Sequence, residues 1–389
     1  MINKIKRFFN AIRTIKTQTG TYRKITFNEL TTDFIDTNLD YIDLSELDLS
    51  NHGDLFMSHP TGPFSHTGIY GWTENVIWPS PEKMPTGFNP HKILEQRKHP
   101  KEIDSLQKDD INGDGINIAI IDNVFNPNHP EYKNNIKHVQ GPLLKMKNNA
   151  PHYHGSMVVG CAVGKTTGVA TKASVYYFTK AKTNHEAGQE TIAVLKSVLE
   201  FNKKQPLKNK IHILSCSWSP KRVAKNNEKE YQEIMKLFNE LESNNIKIIF
   251  CGGDNKTPEY KTSFSISKTD FIPTSENTIS NEYEHTVQIP TNEKTVPYCS
   301  GGYLYQKLGG DSSAAPYLAG VYACALQNNQ IFMTRPNWQE ELDTILQETA
   351  TPTKNGGKMI NPVGIRERVS EIAREMEMNL IKQNGIQHE

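Results

Sequence analysis

The sequence predicts an α/β fold in which a mostly parallel sheet lies between two layers of helices. Short runs that are apolar throughout recur along the chain and alternate with helical patterns. Such runs are typical of strands buried on both faces, and the alternation of strands with helices produces parallel neighbours. The strand-like runs cover residues 116–121, 174–179, 211–216 and 246–251.

Amphipathic helices are predicted between the later strands, because apolar residues recur there at spacings of three, four and seven. A further apolar helix is predicted over residues 317–326, and a C-terminal helix over residues 363–382 closes the domain. The residues that mark the two amphipathic helices are Ile192, Leu195, Val198 and Leu199 in the first, and Tyr231, Ile234, Phe238 and Leu241 in the second.

The first hundred residues differ in composition from the rest. Residues 60–100 hold seven of the 21 prolines, together with Trp72 and Trp78, and a proline-rich run does not favour regular helix. We therefore predict an N-terminal extension over residues 1–100, which wraps the rest of the chain or inhibits it, and a folded domain over residues 101–389. Residues 1–16 are basic with spaced apolar side chains, which predicts a short amphipathic helix, packed on the protein or in weak contact with a membrane surface.

Composition excludes several classes of partner. The formal net charge is +1, so there is no global electrostatic attraction to nucleic acid or to an anionic membrane. The chain has neither the apolar length of a membrane-spanning helix nor the continuous apolar run of a secretory signal. Its five cysteines match no metal-binding spacing, which favours buried thiols in a reducing cytoplasm. We expect a cytoplasmic protein without a nucleic-acid partner and without an integral membrane segment.

Three segments carry residues suited to nucleophilic acyl transfer. Asp122 follows an apolar strand, His154 enters an apolar helix, and Ser312 comes two residues after Gly310 where another helix starts. An imidazole can take the proton of a serine hydroxyl, and a carboxylate can hold the imidazole in the required tautomer. Taken singly, these residues are equally typical of a helix-capping serine, a core histidine and a strand-end aspartate. Their order along the chain, Asp then His then Ser, is that of one class of serine protease.

In these segments the chain resembles the subtilisin-like serine proteases, or subtilases. Ile-Ala-Ile-Ile-Asp resembles the family's strand with the aspartate, and His-Gly-Ser-Met-Val-Val-Gly resembles His-Gly-Thr-x-Val-Ala-Gly. Gly-Asp-Ser-Ser-Ala-Ala-Pro-Tyr-Leu-Ala-Gly resembles Gly-Thr-Ser-Met-Ala-Ala-Pro-x-Val-Ala-Gly. The resemblance covers about residues 100–370. It implies the three-layer α/β/α fold and an intracellular serine endopeptidase that acts on proteins or peptides through Asp122, His154 and Ser312. Ser313, at the family's methionine position, is the alternative nucleophile.

The resemblance also indicates where the oxyanion would be held. The family has Ala-Ala-Gly-Asn after a buried strand, and the asparagine amide donates to the oxyanion. Here residues 247–251 lead into Gly-Gly-Asp-Asn, so Asp254 takes the asparagine position in register and Asn255 follows it. A carboxylate repels an oxyanion unless it is protonated. The alternative function is therefore a catalytically weak or inactive relative that binds extended peptides or partner proteins.

Ser217, Trp218 and Ser219 match the family's strand that pairs with an extended substrate. Strand pairing of this kind recognises main-chain groups and tolerates varied sequences. Trp218 matches a pocket-lining position, and the alternative is a tryptophan of the core.

No cofactor is predicted with certainty. His129 and His152 lie near Asp122 and His154 in sequence. The His152 and His154 pair could bind zinc together with Asp122, but the spacing matches no zinc motif. Calcium is implied only by the resemblance, because many subtilases bind it. The sequence identifies no residue as a metal ligand.

Overall fold

The computed structural model describes most of the chain from residue 103 onward and parts of the first hundred residues. The described ranges are 13–17, 20–24, 41–44, 48–51, 70–84, 89–95, 97, 103–141, 152–180, 187–225, 227–251, 263–266, 286–291, 294–299, 301–306, 310–352 and 358–386.

Fifteen strands and nine α-helices lie within these ranges. The strands are β1 (Arg13–Thr17), β2 (Gly20–Lys24), β3 (Tyr41–Asp43), β4 (Tyr70–Trp72), β5 (Asn117–Asp122), β6 (Ile136–Gln140), β7 (Ser174–Thr179), β8 (Ile213–Cys216), β9 (Lys247–Phe250), β10 (Ser263–Ile266), β11 (Thr286–Ile289), β12 (Lys294–Pro297), β13 (Tyr303–Gln306), β14 (Thr351–Pro352) and β15 (Lys358–Met359). The helices are α1 (Pro90–Glu95), α2 (Asp104–Lys108), α3 (Tyr153–Val163), α4 (Gly188–Lys204), α5 (Pro220–Ala224), α6 (Glu228–Ser243), α7 (Asp311–Leu326), α8 (Trp338–Thr349) and α9 (Pro362–Ile386).

The centre of the fold is a five-stranded sheet in the order β6-β7-β5-β8-β9, and all its neighbouring strands are parallel. The predicted α/β fold is confirmed. Each of the four predicted strands is present: β7 has the predicted bounds, and the ends of the other three differ from the prediction by at most two residues. β6 was not predicted, because its residues are only partly buried and its apolar pattern is short.

Two apolar clusters cover the two faces of this sheet. Alternate residues of β5 enter them: Ile118 and Ile120 pack on the side of α3 and α7, whereas Ala119 and Ile121 pack on the side of α4 and α6. Every residue of β5 is buried, which is why the strand reads as a continuous apolar run. The carboxyl end of β5 is thereby held between both helical layers.

The extension contributes to a second sheet, in the order β1-β2-β3-β4-β13-β12. Trp72 of β4 pairs with Tyr303 of β13, and Gly71 pairs with Leu304, in antiparallel register. The side chain of Thr295 also donates to the carbonyl oxygen of Ile93 at 2.7 Å. The extension therefore packs on the β12–β13 hairpin, which directly precedes α7.

Two expectations for the extension are wrong in part. Residues 13–17, the end of the predicted amphipathic helix and the residue after it, form strand β1, which pairs with β2; residues 1–12 lie outside the described residues. Residues 90–95 form the short helix α1, although the proline content of residues 60–100 argued against helix. Pro90 is the first residue of α1, the position where its missing N–H costs nothing. Among the described residues, no helix combines the length and apolar character needed to cross a membrane.

The buried side chain of Trp72 anchors the extension, and its removal should lower the stability of the protein. Its side chain is 1% exposed, so we expect Trp72→Ala to destabilise the protein by about 3–5 kcal/mol. The measurement is urea unfolding of the full chain. Ile77→Ala is the matched control, because Ile77 belongs to the same segment and is 56% exposed. Equal losses of stability in the two variants would contradict the anchoring role.

Candidate active site

Asp122 and His154 form a hydrogen-bonded pair at the carboxyl end of the central sheet. Asp122 is the last residue of β5 and His154 is the second residue of α3. His154 Nδ1 lies 2.7 Å from Asp122 Oδ1, which also accepts a hydrogen bond from the backbone N–H of Asn123 at 2.7 Å. The carboxylate side chain is 1% exposed and the imidazole 15%. A buried carboxylate therefore orients an imidazole that keeps some access to solvent.

The start of α3 is held close to the end of β5. A Cβ at Gly155 would meet Asn123 O at 2.6 Å and the Tyr177 hydroxyl at 2.7 Å, so only glycine permits this approach. His152 is the N-cap of α3, and its Nδ1 accepts from His154 N at 3.1 Å. Asn123 Nδ2 also lies 3.1 Å from His152 Nδ1. Asn123 therefore contacts the cap of the helix that carries His154.

Ser312 lies in the first turn of α7, after the extended N-cap Gly310. Its side chain is half-buried. Ser312 Oγ donates to the Ser217 carbonyl oxygen at 3.3 Å rather than to His154, and Ser217 Oγ donates to the Ser312 carbonyl oxygen at 2.8 Å. Cys251 Sγ donates to the Asp311 carbonyl oxygen at 2.9 Å. The ends of β8 and β9 thus anchor the start of α7.

The contact from Ser217 to Ser312 has a cause inside the helix. Pro316 lies within α7 and has no N–H, so it cannot donate to the carbonyl oxygen four residues earlier, which is that of Ser312. The hydroxyl of Ser217 supplies the missing donor. The apolar run that predicts the helix begins at Tyr317, with Ser312 near the helix start, and α7 begins at Asp311 and runs through the proline.

A double-mutant cycle tests this exchange of donors. We expect Ser217→Ala to cost about 1–3 kcal/mol of unfolding free energy, because it leaves the Ser312 carbonyl group without a donor. In the Pro316→Ala background the helix supplies its own N–H, so the cost of Ser217→Ala should shrink. Urea unfolding of the four proteins gives both values. The same cost in both backgrounds would show that the Ser217 contact does not replace a helical hydrogen bond.

Ser313, the alternative nucleophile, faces the core. It is 3% exposed, and its hydroxyl contacts Met157 Sδ at 3.6 Å and Gln306 Oε1 at 3.3 Å. Met157 belongs to α3 and Gln306 to β13. Of the two serines, Ser312 is the more accessible to a substrate.

The residues matched to a substrate-pairing strand are mostly buried. Trp218 is 5% exposed; it packs against Phe238 and donates from Nε1 to the Ile121 carbonyl oxygen at 3.3 Å. Ser219 is the N-cap of α5 and accepts from the backbone N–H of Arg222 at 3.5 Å. The structure thus places Trp218 in the core layer between the sheet and α6.

The proposed oxyanion residues Asp254 and Asn255 lie outside the described residues. His129 Nε2 lies 2.9 Å from the Gly302 carbonyl oxygen, and His152 caps α3 as described above. In the described part of the chain no group of three or more His, Cys, Asp or Glu is placed to hold a metal ion.

The cysteines are unsuited to be nucleophiles. All five are buried, as the sequence predicts, and none takes part in a disulfide. Burial raises the pKa of Cys161 to about 11 and that of Cys324 to about 12. Because the thiolate is the reactive form, these two groups stay inert near neutral pH.

The sequence analysis did not predict that Lys180 is buried next to the Asp122 strand. It follows β7 directly, is fully buried, and its backbone N–H donates to the Asp122 carbonyl oxygen at 2.9 Å. The only sequence signal is a charged residue at the end of an apolar run beside the Asp122 strand.

A family model described as the subtilase family matches residues 113–365. The chain belongs to the subtilase family. None of the curated proteins is significantly similar to this subtilase in sequence.

Similar solved structures show the subtilase fold. The prenylagaramide maturation protease PagA is 16% identical, with a TM-score of 0.51, over 69% of this chain and 99% of that one. The PatG macrocyclase in complex with peptide is 14% identical, with a TM-score of 0.50, over 71% of this chain and 97% of that one. The PatG macrocyclase domain is 17% identical, with a TM-score of 0.50, over 71% and 96%.

Proposed function

We propose that this subtilase is a serine endopeptidase that hydrolyses peptide bonds through Asp122, His154 and Ser312. The observation that carries the proposal is the 2.7 Å contact between His154 Nδ1 and the buried Asp122 carboxylate. That contact fixes the proton on Nδ1 and leaves Nε2 free to act as a base. A histidine merely buried in a core has no need of this arrangement.

In the proposed reaction, His154 takes the proton from Ser312 Oγ as the oxygen attacks the substrate carbonyl. Asp122 stabilises the imidazolium, which then gives its proton to the leaving amine, and water hydrolyses the acyl-enzyme. Before attack, Ser312 Oγ has to turn from the Ser217 carbonyl group towards His154. Hydrogen bonds of this kind are often loose without substrate and tighten when it binds. The N-terminus of α7 directs its positive dipole end at the reacting serine.

The substrate we propose is a protein or a peptide in extended conformation. Support comes from the family, and from solved structures of similar fold that are a maturation protease and a macrocyclase in complex with peptide. The second candidate is a subtilase fold that binds peptides without turning them over. Asp254 at the family's asparagine position favours it, as does the Ser312 hydroxyl bound to Ser217.

Labelling with a fluorophosphonate separates the two candidates, because only an activated serine reacts. We expect one label, located on Ser312 by peptide mass spectrometry, in the wild-type chain and in Ser313→Ala. A folded wild-type protein that takes up no label between pH 7 and 9, yet binds an extended peptide, would establish the second candidate instead.

A further inference from the structure

The ring and the backbone of His154 are held from two directions. Asp122 Oδ1 lies 2.7 Å from the ring Nδ1, and His152 Nδ1 accepts from the backbone N–H of His154 at 3.1 Å. A backbone N–H can only donate, so His152 Nδ1 is an acceptor and the proton of this neutral ring lies on Nε2. In His154 the proton lies instead on Nδ1, which faces the carboxylate. Two histidines that lie two residues apart are therefore held in opposite tautomers.

Asn123 connects these two anchors. Its backbone N–H donates to Asp122 Oδ1 at 2.7 Å, and its side-chain Nδ2 lies 3.1 Å from His152 Nδ1. Because His152 Nδ1 is an acceptor, the Asn123 side chain presents its NH₂ group to it. The four contacts form a closed ring of hydrogen bonds, whose members are Asp122, Asn123, His152 and His154.

Asn123 is itself fixed by its surroundings. It is 2% exposed, and its carbonyl oxygen accepts from the Tyr177 hydroxyl of β7. The Tyr177 ring is fully buried and stacks on Phe125, with 4.0 Å between the ring centres. The backbone N–H of His152 donates to the Val124 carbonyl oxygen at 2.7 Å. The two chain segments of the ring are thus tied to each other and to the central sheet.

Stability alone does not account for an amide at position 123. The Oδ1 atom of Asn123 is buried and has no hydrogen-bond partner in the described part of the chain. Burying a polar atom without a partner costs free energy, so an apolar side chain of the same shape would be at least as stable there. What the amide adds is the contact from Nδ2 to His152. The value of that contact therefore lies in the placement of His154.

We propose that Asn123 and His152 are positioning residues, which hold His154 where its Nε2 can meet Ser312. The proposal rests on the function proposed above, in which His154 takes a proton from Ser312 and gives it to the leaving amine. Nε2 has to serve both partners from one orientation of the ring, and a displacement of about 1 Å can lower a rate about a hundredfold. Asn123 and His152 act through His154 and take no part in the proton transfer.

The test is the measurement of kcat and KM for a peptide, at about pH 8 where imidazoles are mostly neutral, in full-length Asn123→Leu. Leucine has the shape of asparagine but cannot donate to His152. We expect kcat and the rate of fluorophosphonate labelling to fall about tenfold, with little change in KM. The urea midpoint should stay the same or rise, because the unpaired Oδ1 is removed. A kcat equal to that of the wild type would overturn the proposal.

Asn112→Leu is the matched control for Asn123→Leu. Asn112 is 3% exposed, and its Oδ1 is also buried without a hydrogen-bond partner among the described residues. It precedes β5, at the end of the strand opposite to Asp122. Its kcat and KM should therefore match those of the wild type. An equal loss of kcat in both variants would show that the effect of Asn123→Leu does not come from the placement of His154.

His152 allows a test by conservative replacement. Histidine Nδ1, asparagine Oδ1 and leucine Cδ1 occupy equivalent places on Cγ, so the three side chains differ there mainly in the chemistry of one atom. His152→Asn keeps an acceptor and a favoured N-cap, and its kcat should stay close to that of the wild type. His152→Leu should lower kcat, and also the urea midpoint because the cap is lost. Equal losses of kcat in the two variants would contradict the role of Nδ1. If His152→Leu does not fold, Asn123→Leu, which keeps the cap, decides.

A second readout needs no turnover. In full-length Ser312→Ala, NMR should show a low-field resonance for the proton between His154 Nδ1 and Asp122. Adding Asn123→Leu should broaden it, because a less firmly held ring exchanges this proton faster with water. Broadening in a protein whose wild type neither labels nor hydrolyses would retain the positioning of His154 and reject the endopeptidase. Normal labelling of the wild type, with kcat and the resonance unchanged by Asn123→Leu, would reject the positioning role alone.

Discussion

Ser312→Ala is expected to lower turnover of a peptide substrate by about a million-fold and to abolish fluorophosphonate labelling. Alanine removes the attacking oxygen, and the remaining groups cannot act without it. The magnitude is the one known for subtilisin itself, a member of the same family. Alanine fits the first turn of α7, so the urea midpoint should change little. The rates are measured at a fixed substrate concentration well below KM.

Ser313→Ala is the matched control for this prediction, because it removes the neighbouring hydroxyl from the same helical turn. It should retain labelling. Labelling that persists in Ser312→Ala and vanishes in Ser313→Ala would identify Ser313 as the nucleophile. The Ser313 side chain would then have to become exposed when the substrate binds.

Asp122→Asn is expected to lower kcat/KM by about 10,000-fold, the loss seen for the equivalent change in a serine protease of a different fold. Asp122 Oδ1 accepts from both Asn123 N and His154 Nδ1. The neutral amide of asparagine removes the negative charge that stabilises the imidazolium when His154 takes up the proton. An amide that turns its NH₂ group towards the imidazole also forces Nδ1 to accept, which moves the proton to Nε2 and blocks the base. Steady-state kinetics on one peptide measure the loss.

Asp110→Asn is the control for Asp122→Asn. Asp110 is an exposed carboxylate that pairs with Lys172, so its loss should leave kcat/KM within twofold of wild type. If Asp122→Asn kept near-normal rates, the Asp122–His154 contact would be structural, and the peptide-binding alternative would gain support.

The Asp122 strand and the His154 helix could be predicted from local patterns, because β5 is buried on both faces and α3 is apolar throughout. A helix start near Ser312 could also be predicted, but the continuation of α7 through Pro316 could not. Proline removes a helical hydrogen bond, and the Ser217 hydroxyl, from the end of another strand, supplies the missing donor. Chain-distant contacts of this kind leave no local signal.

Lys180 could not be predicted for a similar reason. A charged residue after a strand usually reaches solvent, and here Trp218, from the end of another strand, covers it.

The pairing of β4 with β13 could not be predicted from the local sequence either. Three residues, Tyr-Gly-Trp, carry too little alternation to be recognised as a strand, and Gly71 is required there because the Tyr298 ring lies 2.4 Å from the position of a Cβ.

The pairing of β4 with β13 also has a consequence for synthesis. β13 lies far along the chain from β4, so the ribosome releases the extension long before its partner strand exists. Contacts between distant segments form late and leave apolar surface open meanwhile. During that interval Trp72, Leu44 and Leu49, all buried in the finished protein, are available to chaperones and to other nascent chains. The site at Ser312 follows β13 by only a few residues, so the extension docks in the same late stage in which the nucleophile's helix emerges.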